Sequence, residues 1–139
     1  MKVLGIDYGR RRVGVAVSDP DGIVVRGLST IDRRRTPDII PSLLQLLETE
    51  NPDVVAIGLP LGADDQDTPM SLEIRAFAER LRRASGRAVE LIDESFTSAQ
   101  AEQLLRTRKR KQRRNKEAVD RIAACLITEA CLRLKVDGA

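Results

Sequence analysis

The chain contains no histidine. That absence excludes Ser-His-Asp and Cys-His catalysis, imidazole proton transfer and most zinc sites. Any metal must then sit on carboxylates, which favours Mg2+ or Mn2+ over Zn2+. Aromatic residues are nearly absent as well: Tyr8, Phe77 and Phe96 are all of them. Proteins that stack single-stranded bases need a platform of rings, and this sequence offers none. No apolar run approaches the ~20 residues of a membrane span. The opening segment meets charge by Arg10, so neither an anchor nor a signal peptide is expected, and the expected location is cytoplasmic. The two cysteines, Cys125 and Cys131, lie six apart in a helical pattern, which matches no ligand or redox signature and reads as core packing.

What is present is an uneven distribution of charge. The 139 residues, 42% of them hydrophobic, suffice for one domain spanning 1–139. Net charge is only +3, from 24 basic and 21 acidic residues. Yet residues 106–116 hold eight bases (Arg106, Arg108, Lys109, Arg110, Lys111, Arg113, Arg114 and Lys116) and no acid. The remaining 16 bases face 21 acids, so the rest of the chain carries −5. Like charges at that density repel one another unless a polyanion neutralises them. The segment is therefore expected to bind nucleic acid and to be mobile without it. Smaller clusters occur at Arg10-Arg11-Arg12 and Arg33-Arg34-Arg35. The guanidinium fork matches phosphate.

Patterning predicts strands over Lys2–Asp7, Val13–Val17 and Ile23–Ile31, with turns at Tyr8–Arg12 and Asp19-Pro20-Asp21-Gly22. The period then changes. Ile40, Leu43, Leu44 and Leu47 mark a helix, with Pro37 and Pro41 tolerable only near its first turn and Asn51-Pro52 stopping it. Val54–Gly58 is an all-apolar strand of the kind buried on both faces. A loop over Leu59–Asp67 precedes a helix capped by Thr68-Pro69, with Ile74, Phe77, Ala78 and Leu81 on its face and Gly86 at its end. Ala88–Ile92 is a fifth strand. Thr97–Gln100 has the form of a capping box opening a helix through Leu104 and Leu105. A last helix runs from about Asn115 to Leu134, with Val119, Ile122, Ala123, Leu126, Ile127 and Ala130 on one face. This order predicts a mixed sheet, three antiparallel strands then two parallel ones, flanked by helices.

Three acids stand where chemistry is usually placed. Asp7 and Glu94 follow strands at their C-terminal ends. Asp120 lies at the edge of the last helix's apolar stripe, one turn before Ala123 and Ala124, whose small side chains would let that helix approach the sheet. Each also has a bland reading: a turn-forming Asp, a solvated Glu, and an Asp paired on the surface with Arg121 or Lys116. Converging beside a polyanion-binding segment in a chain without histidine, they fit two-metal phosphodiester hydrolysis, which needs no protein general base.

The same residues resemble the YqgF/RuvX family of RNase H-like nucleases. Gly5-Ile6-Asp7-Tyr8-Gly9 with Arg12-Val13-Gly14-Val15-Ala16 is similar to its first motif, and Gly58-Leu59-Pro60-Leu61 to its second. Asp93-Glu94-Ser95-Phe96-Thr97-Ser98 and Asp120-Arg121-Ile122-Ala123-Ala124 resemble the last two. The resemblance implies a five-stranded RNase H-like sheet and an acidic site of Asp7, Glu94 and Asp120 holding Mg2+ or Mn2+. It implies Gly9, Thr97 and Ser98 as supporting residues. Implied substrates are four-way DNA junctions or the 5′ end of pre-16S rRNA, with Arg10, Arg11, Arg12 and the basic segment as phosphate contacts. Symmetric junction cutting would need a homodimer. Ser95 departs from the family, which has Arg after Asp-Glu. Asp64, Asp65 and Asp67 put more acid after Leu61 than expected, and one of them could supplement a ligand. With Asp7 and Glu94 two strands apart, their backbones would stand about 10 Å from each other, and Asp93 is the local alternative. Two other readings compete: a module on this fold that binds nucleic acid without cutting, and an actin-like phosphotransferase, which would need a second such domain.

Overall fold

The structure is a computed structural model, and it describes residues 1–93, 106 and 116–137. Its strands are β1 (Val3–Tyr8), β2 (Arg12–Ser18), β3 (Val25–Asp32), β4 (Val54–Leu59) and β5 (Val89–Asp93). Its helices are α1 (Ile40–Glu50), α2 (Pro69–Ser85) and α3 (Lys116–Asp137). The strands form one sheet in the order β3-β2-β1-β4-β5. The β1–β2 and β2–β3 pairs are antiparallel, while β1–β4 and β4–β5 are parallel. Short turns can join only antiparallel neighbours, so the two parallel pairs are the ones whose connections carry α1 and α2.

Alternation along the strands sorts side chains onto two unlike faces. Leu4, Ile6, Val13, Val15, Val17 and Ile57 point to one side and pack with Leu43 and Leu47 of α1 and Ile74, Phe77 and Leu81 of α2. This is the larger core. Each of its fully buried Leu or Ile side chains contributes about 1.5–3 kcal/mol over an exposed one. On the opposite side, Val3, Val54, Ala56 and Ile92 meet Ile127 and Cys131 of α3. Cys131 is fully buried there, and burial pushes its thiol up to about 11. The expected core role of that cysteine is what the structure shows.

Helix α3 lies very close to the sheet because glycines floor its bed. A methyl group on Gly5 would stand 2.0 Å from Thr128 Oγ1, and one on Gly14 would stand 2.1 Å from the carbonyl oxygen of Asp120. Both are far below van der Waals contact. On the helix side Ala124 and Thr128 are fully buried. The start of α3 is also tied to the edge strand. Thr30 Oγ1 donates to the Glu117 carbonyl at 2.7 Å, and the Arg121 guanidinium donates to Thr30 Oγ1 at 3.1 Å.

Several boundaries differ from expectation for local reasons. The third strand begins at Val25, not Ile23. Asp19 accepts from the Ile23 amide through Oδ1 and donates its own amide to the Val24 carbonyl, which keeps both residues in the turn and exposed. Arg12 belongs to β2 and not to the preceding turn. Thr68 caps α2 as expected: its side chain accepts from the Ser71 amide at 3.1 Å while Ser71 Oγ accepts from the Thr68 amide at 2.7 Å. Asn51, in the left-handed region, closes α1. The last helix runs three residues past Leu134. The helix expected after Thr97 lies outside the described residues.

Candidate active site

The carboxyl end of β1, the start of β2 and the start of α3 meet at one corner of the sheet. On β1, Leu4 and Ile6 point toward α1 and α2, so Asp7 points to the α3 side, in line with Val3 and Gly5. Across the antiparallel pair, Asp7 stands opposite Gly14. Gly14 in turn lies beneath Asp120, whose Cβ would be 3.0 Å from a methyl placed there. The structure therefore brings Asp7 and Asp120 to the same spot, one on each side of Gly14. Both are half-buried. The close approach that Ala123 and Ala124 announced is real, and glycines on the sheet supply its other half.

Asp120 pairs with neither Arg121 nor Lys116. The Arg12 Nε donates to its Oδ2 at 2.7 Å, with side chains only 23% and 18% exposed. Arg12, expected to meet phosphate, is engaged inside the corner. Arg10 is held by Glu73 at 3.3 Å on the α2 side, though its side chain stays 62% exposed. Arg11 is exposed, and no ion pair holds it among the described residues. Gly9 carries the turn: its carbonyl accepts from the Arg33 guanidinium at 3.1 Å. The Arg33 amide donates to the Arg11 carbonyl at 2.9 Å, so the two arginine triads are neighbours in space.

Other expected residues separate into those with structural work and those beyond view. Asp67 is not aimed at the corner. Its Oδ1 accepts from Arg75 at 2.8 Å and from Ser71 Oγ at 2.9 Å, and the Arg75 guanidinium holds its carboxyl below the usual range. Asp64 and Asp65 are exposed, and both have positive φ, at 55° and 57°. Asp93 ends β5, pairs in register with Leu59 and is exposed. Arg106 and Lys116 are exposed too. Glu94, Ser95, Thr97, Ser98, Arg108, Lys109, Arg110, Lys111, Arg113 and Arg114 lie outside the described residues. Among the described residues, no group of three or more Asp, Glu or Cys is placed to hold a metal ion. Asp7 and Asp120 are hard oxygen donors of the kind Mg2+ and Mn2+ take, and the third expected donor, Glu94, is beyond that view.

A separate polar cleft of about 560 Å3 lies along the edge strand, lined by Thr30, Asp32, Arg35, Thr36, Ser42 and Glu117 among others. Neither Asp7 nor Asp120 lines it.

This architecture has known counterparts. The chain superposes on Thermus thermophilus RuvC, solved in complex with a Holliday junction substrate, with a TM-score of 0.64, 17% identity and coverage of 100% of this chain and 98% of that one. The fowlpox virus resolvase, solved with Holliday junction DNA, matches with a TM-score of 0.61 and 14% identity over 98% of this chain and 99% of that one. Sheet order and likeness together define a protein of the RuvC-like RNase H fold. More specifically, residues 1–134 match the model of a family described as "RuvX: Holliday junction resolvase", and the chain belongs to that family. A protein of Crocosphaera subtropica, provisionally named a pre-16S rRNA nuclease, is 36% identical over 95% of this chain and 92% of its own length. One of the same provisional name from Oleidesulfovibrio alaskensis is 39% identical over 99% and 95%. The family is thus one of phosphodiester hydrolases acting on nucleic acid, and the resemblance read from the motifs holds.

Proposed function

We propose that this protein is a metal-dependent endonuclease that cuts structured nucleic acid, with Asp7, Glu94 and Asp120 as its acidic site. The observation that carries the reading is the meeting of Asp7 and Asp120 over Gly14, between elements at opposite ends of the sequence. Two carboxylates brought to one half-buried corner are costly to the fold even with Arg12 on Asp120. They serve divalent cations well. When bound there, Mg2+ or Mn2+ would supply activation of a water and stabilisation of the leaving oxygen of a phosphodiester. In this chain Asp7 and Asp120 would hold the cations, and Glu94, directly after Asp93 at the end of β5, would be the third donor. Gly9 allows the tight β1–β2 turn, and Thr97 and Ser98 are the supporting residues that the family resemblance implies. Arg10, Arg11 and the bases of 106–116 meet phosphates, which sets affinity and not base sequence.

The substrate we favour is the 5′ region of pre-16S rRNA, because the relatives that share more than a third of their residues over nearly the whole chain carry that name. A four-way DNA junction is the second reading, favoured by the fold shared with RuvC. It requires two copies presenting opposed sites. Either substrate places the protein in the cytoplasm, and no described helix is long and apolar enough to cross a membrane.

Both substrates, labelled and offered side by side with Mg2+ or Mn2+, separate these readings. Cutting confined to the RNA leader is expected. Paired symmetric nicks in the junction would instead establish the second reading. Asp7→Asn should lower cleavage by at least about a hundredfold while leaving binding nearly unchanged, since it removes a ligand and not a phosphate contact. Binding without cleavage by the unaltered protein under every metal tried would make it a binding module.

A further inference from the structure

Arg12 balances charge at the acidic corner from within the chain. It opens β2, and alternation sets its side chain on the α3 face beside Gly14. Asp7 stands across from Gly14 on that face and Asp120 above it. Arg12, Asp7 and Asp120 thus stand around a single glycine. The Arg12 Nε bonds only one oxygen of Asp120, Oδ2, and both side chains are mostly covered.

A tether between β2 and α3 would be the plain explanation. The packing of α3 makes a tether redundant. The helix is already seated by its close contacts at Gly5 and Gly14 and by the Thr30 and Arg121 bonds to its first turns. Among the described residues, Arg12 is the cation paired with Asp120. Half-buried carboxylates are costly without a counter-charge, and a neighbouring carboxylate raises that cost. Arg12 meets that cost for Asp120.

We propose that Arg12 is the built-in counter-ion of this corner. The guanidinium holds Asp120 Oδ2 in the metal-free protein. It releases that oxygen when a divalent cation takes it, and is then free to meet the phosphate of the bound strand. Arg12 is a positioning residue toward Asp120 first and a phosphate contact second. Metal and guanidinium compete for one oxygen, so removing the guanidinium must favour the metal. The inference rests on the metal reading of the preceding section.

The test is Mn2+ titration of the whole protein without nucleic acid, read by calorimetry or by the loss of the free-ion paramagnetic signal. Arg12→Gln, which keeps length and a donor but loses charge, should bind Mn2+ about fivefold or more tightly than the unaltered protein. Arg12→Lys should stay close to the unaltered protein, and Asp7→Asn should lose the site. A purely structural Arg12 would give the opposite sign, because a loosened Asp120 binds metal less well. Equal or weaker Mn2+ binding by Arg12→Gln, with normal binding by the unaltered protein, overturns the counter-ion alone. No Mn2+ binding by either protein overturns the metal reading and the inference with it. Should Arg12→Gln fail to fold, the Nε–H signal of Arg12 in the unaltered protein decides under Mg2+ titration. Movement to a solvent-exposed position supports the exchange, and an unmoved signal refutes it.

Discussion

Tyr8, the residue next to Asp7, points the other way. Its hydroxyl donates to Glu73 Oε2 at 2.8 Å, its ring lies 4.7 Å from that of Phe77, and the Arg33 guanidinium sits 5.1 Å from its centroid. The Tyr8 hydroxyl bond holds the Glu73 carboxyl below its ordinary value, with Arg10 adding to the effect. Burial, then the same bond, raises the tyrosine. The signs set two edges of stability. The Glu73 contribution is complete above the ordinary glutamate range and is lost as pH falls through its lowered value. The Tyr8 contribution is complete below about pH 10 and is lost as pH rises through its raised value. Glu73→Ala should cost about 1 kcal/mol at pH 7, an amount reduced by the partial exposure of the pair. In melting experiments that difference should shrink as pH drops below about 4. At this scale the sequence is least legible. Arg10 and Arg12 look alike as charges for phosphate, yet their partners lie 63 and 108 residues away. Neither periodicity nor composition carries information over that distance. Surface pairing with Arg121 or Lys116 is the alternative the sequence offers for Asp120, because helix neighbours are the partners a sequence displays; the structure pairs it with Arg12 instead.

Elements were far easier to read. Thr68-Pro69, Asn51-Pro52 and Gly86 set helix ends because their backbone chemistry acts locally, and each stands where expected. Ile23 and Val24 misled because apolar residues usually continue a strand, whereas two bonds from Asp19 hold them in a turn. The glycine in Val13-Gly14-Val15 read simply as a strand residue. Its use shows only against α3, because a glycine's lack of a side chain matters when something else occupies that space. Gly14→Ala should therefore be among the most damaging single changes on this face. A methyl 2.1 Å from the Asp120 carbonyl cannot be absorbed by a side-chain rotation, since the neighbour is backbone. We expect a loss of about 3 kcal/mol in chemical denaturation. The helix must lift, and Asp120 with it, so cleavage should fall further than stability alone explains.

For the molecule as a whole, the sheet order was legible because chain order and connection rules leave few alternatives once three strands precede the first helix. Charge segregation was equally legible, being composition alone. It yields a prediction independent of the acidic corner. Neutralising Arg108, Arg110, Arg113 and Arg114 together should weaken binding to all nucleic acids alike and reduce the dependence of log affinity on log salt by up to about four contacts. An unchanged slope would mean that this segment meets no phosphate. The corner, by contrast, depends on the farthest reach of the chain. Its two described carboxylates belong to the first strand and the last helix, and α3 can dock only on a sheet whose glycine floor is already laid. A chain still emerging from the ribosome has Asp7 and lacks Asp120. For the site proposed above, synthesis itself would act as a safety catch: a nuclease made amid RNA would stay harmless until α3 had been made and docked.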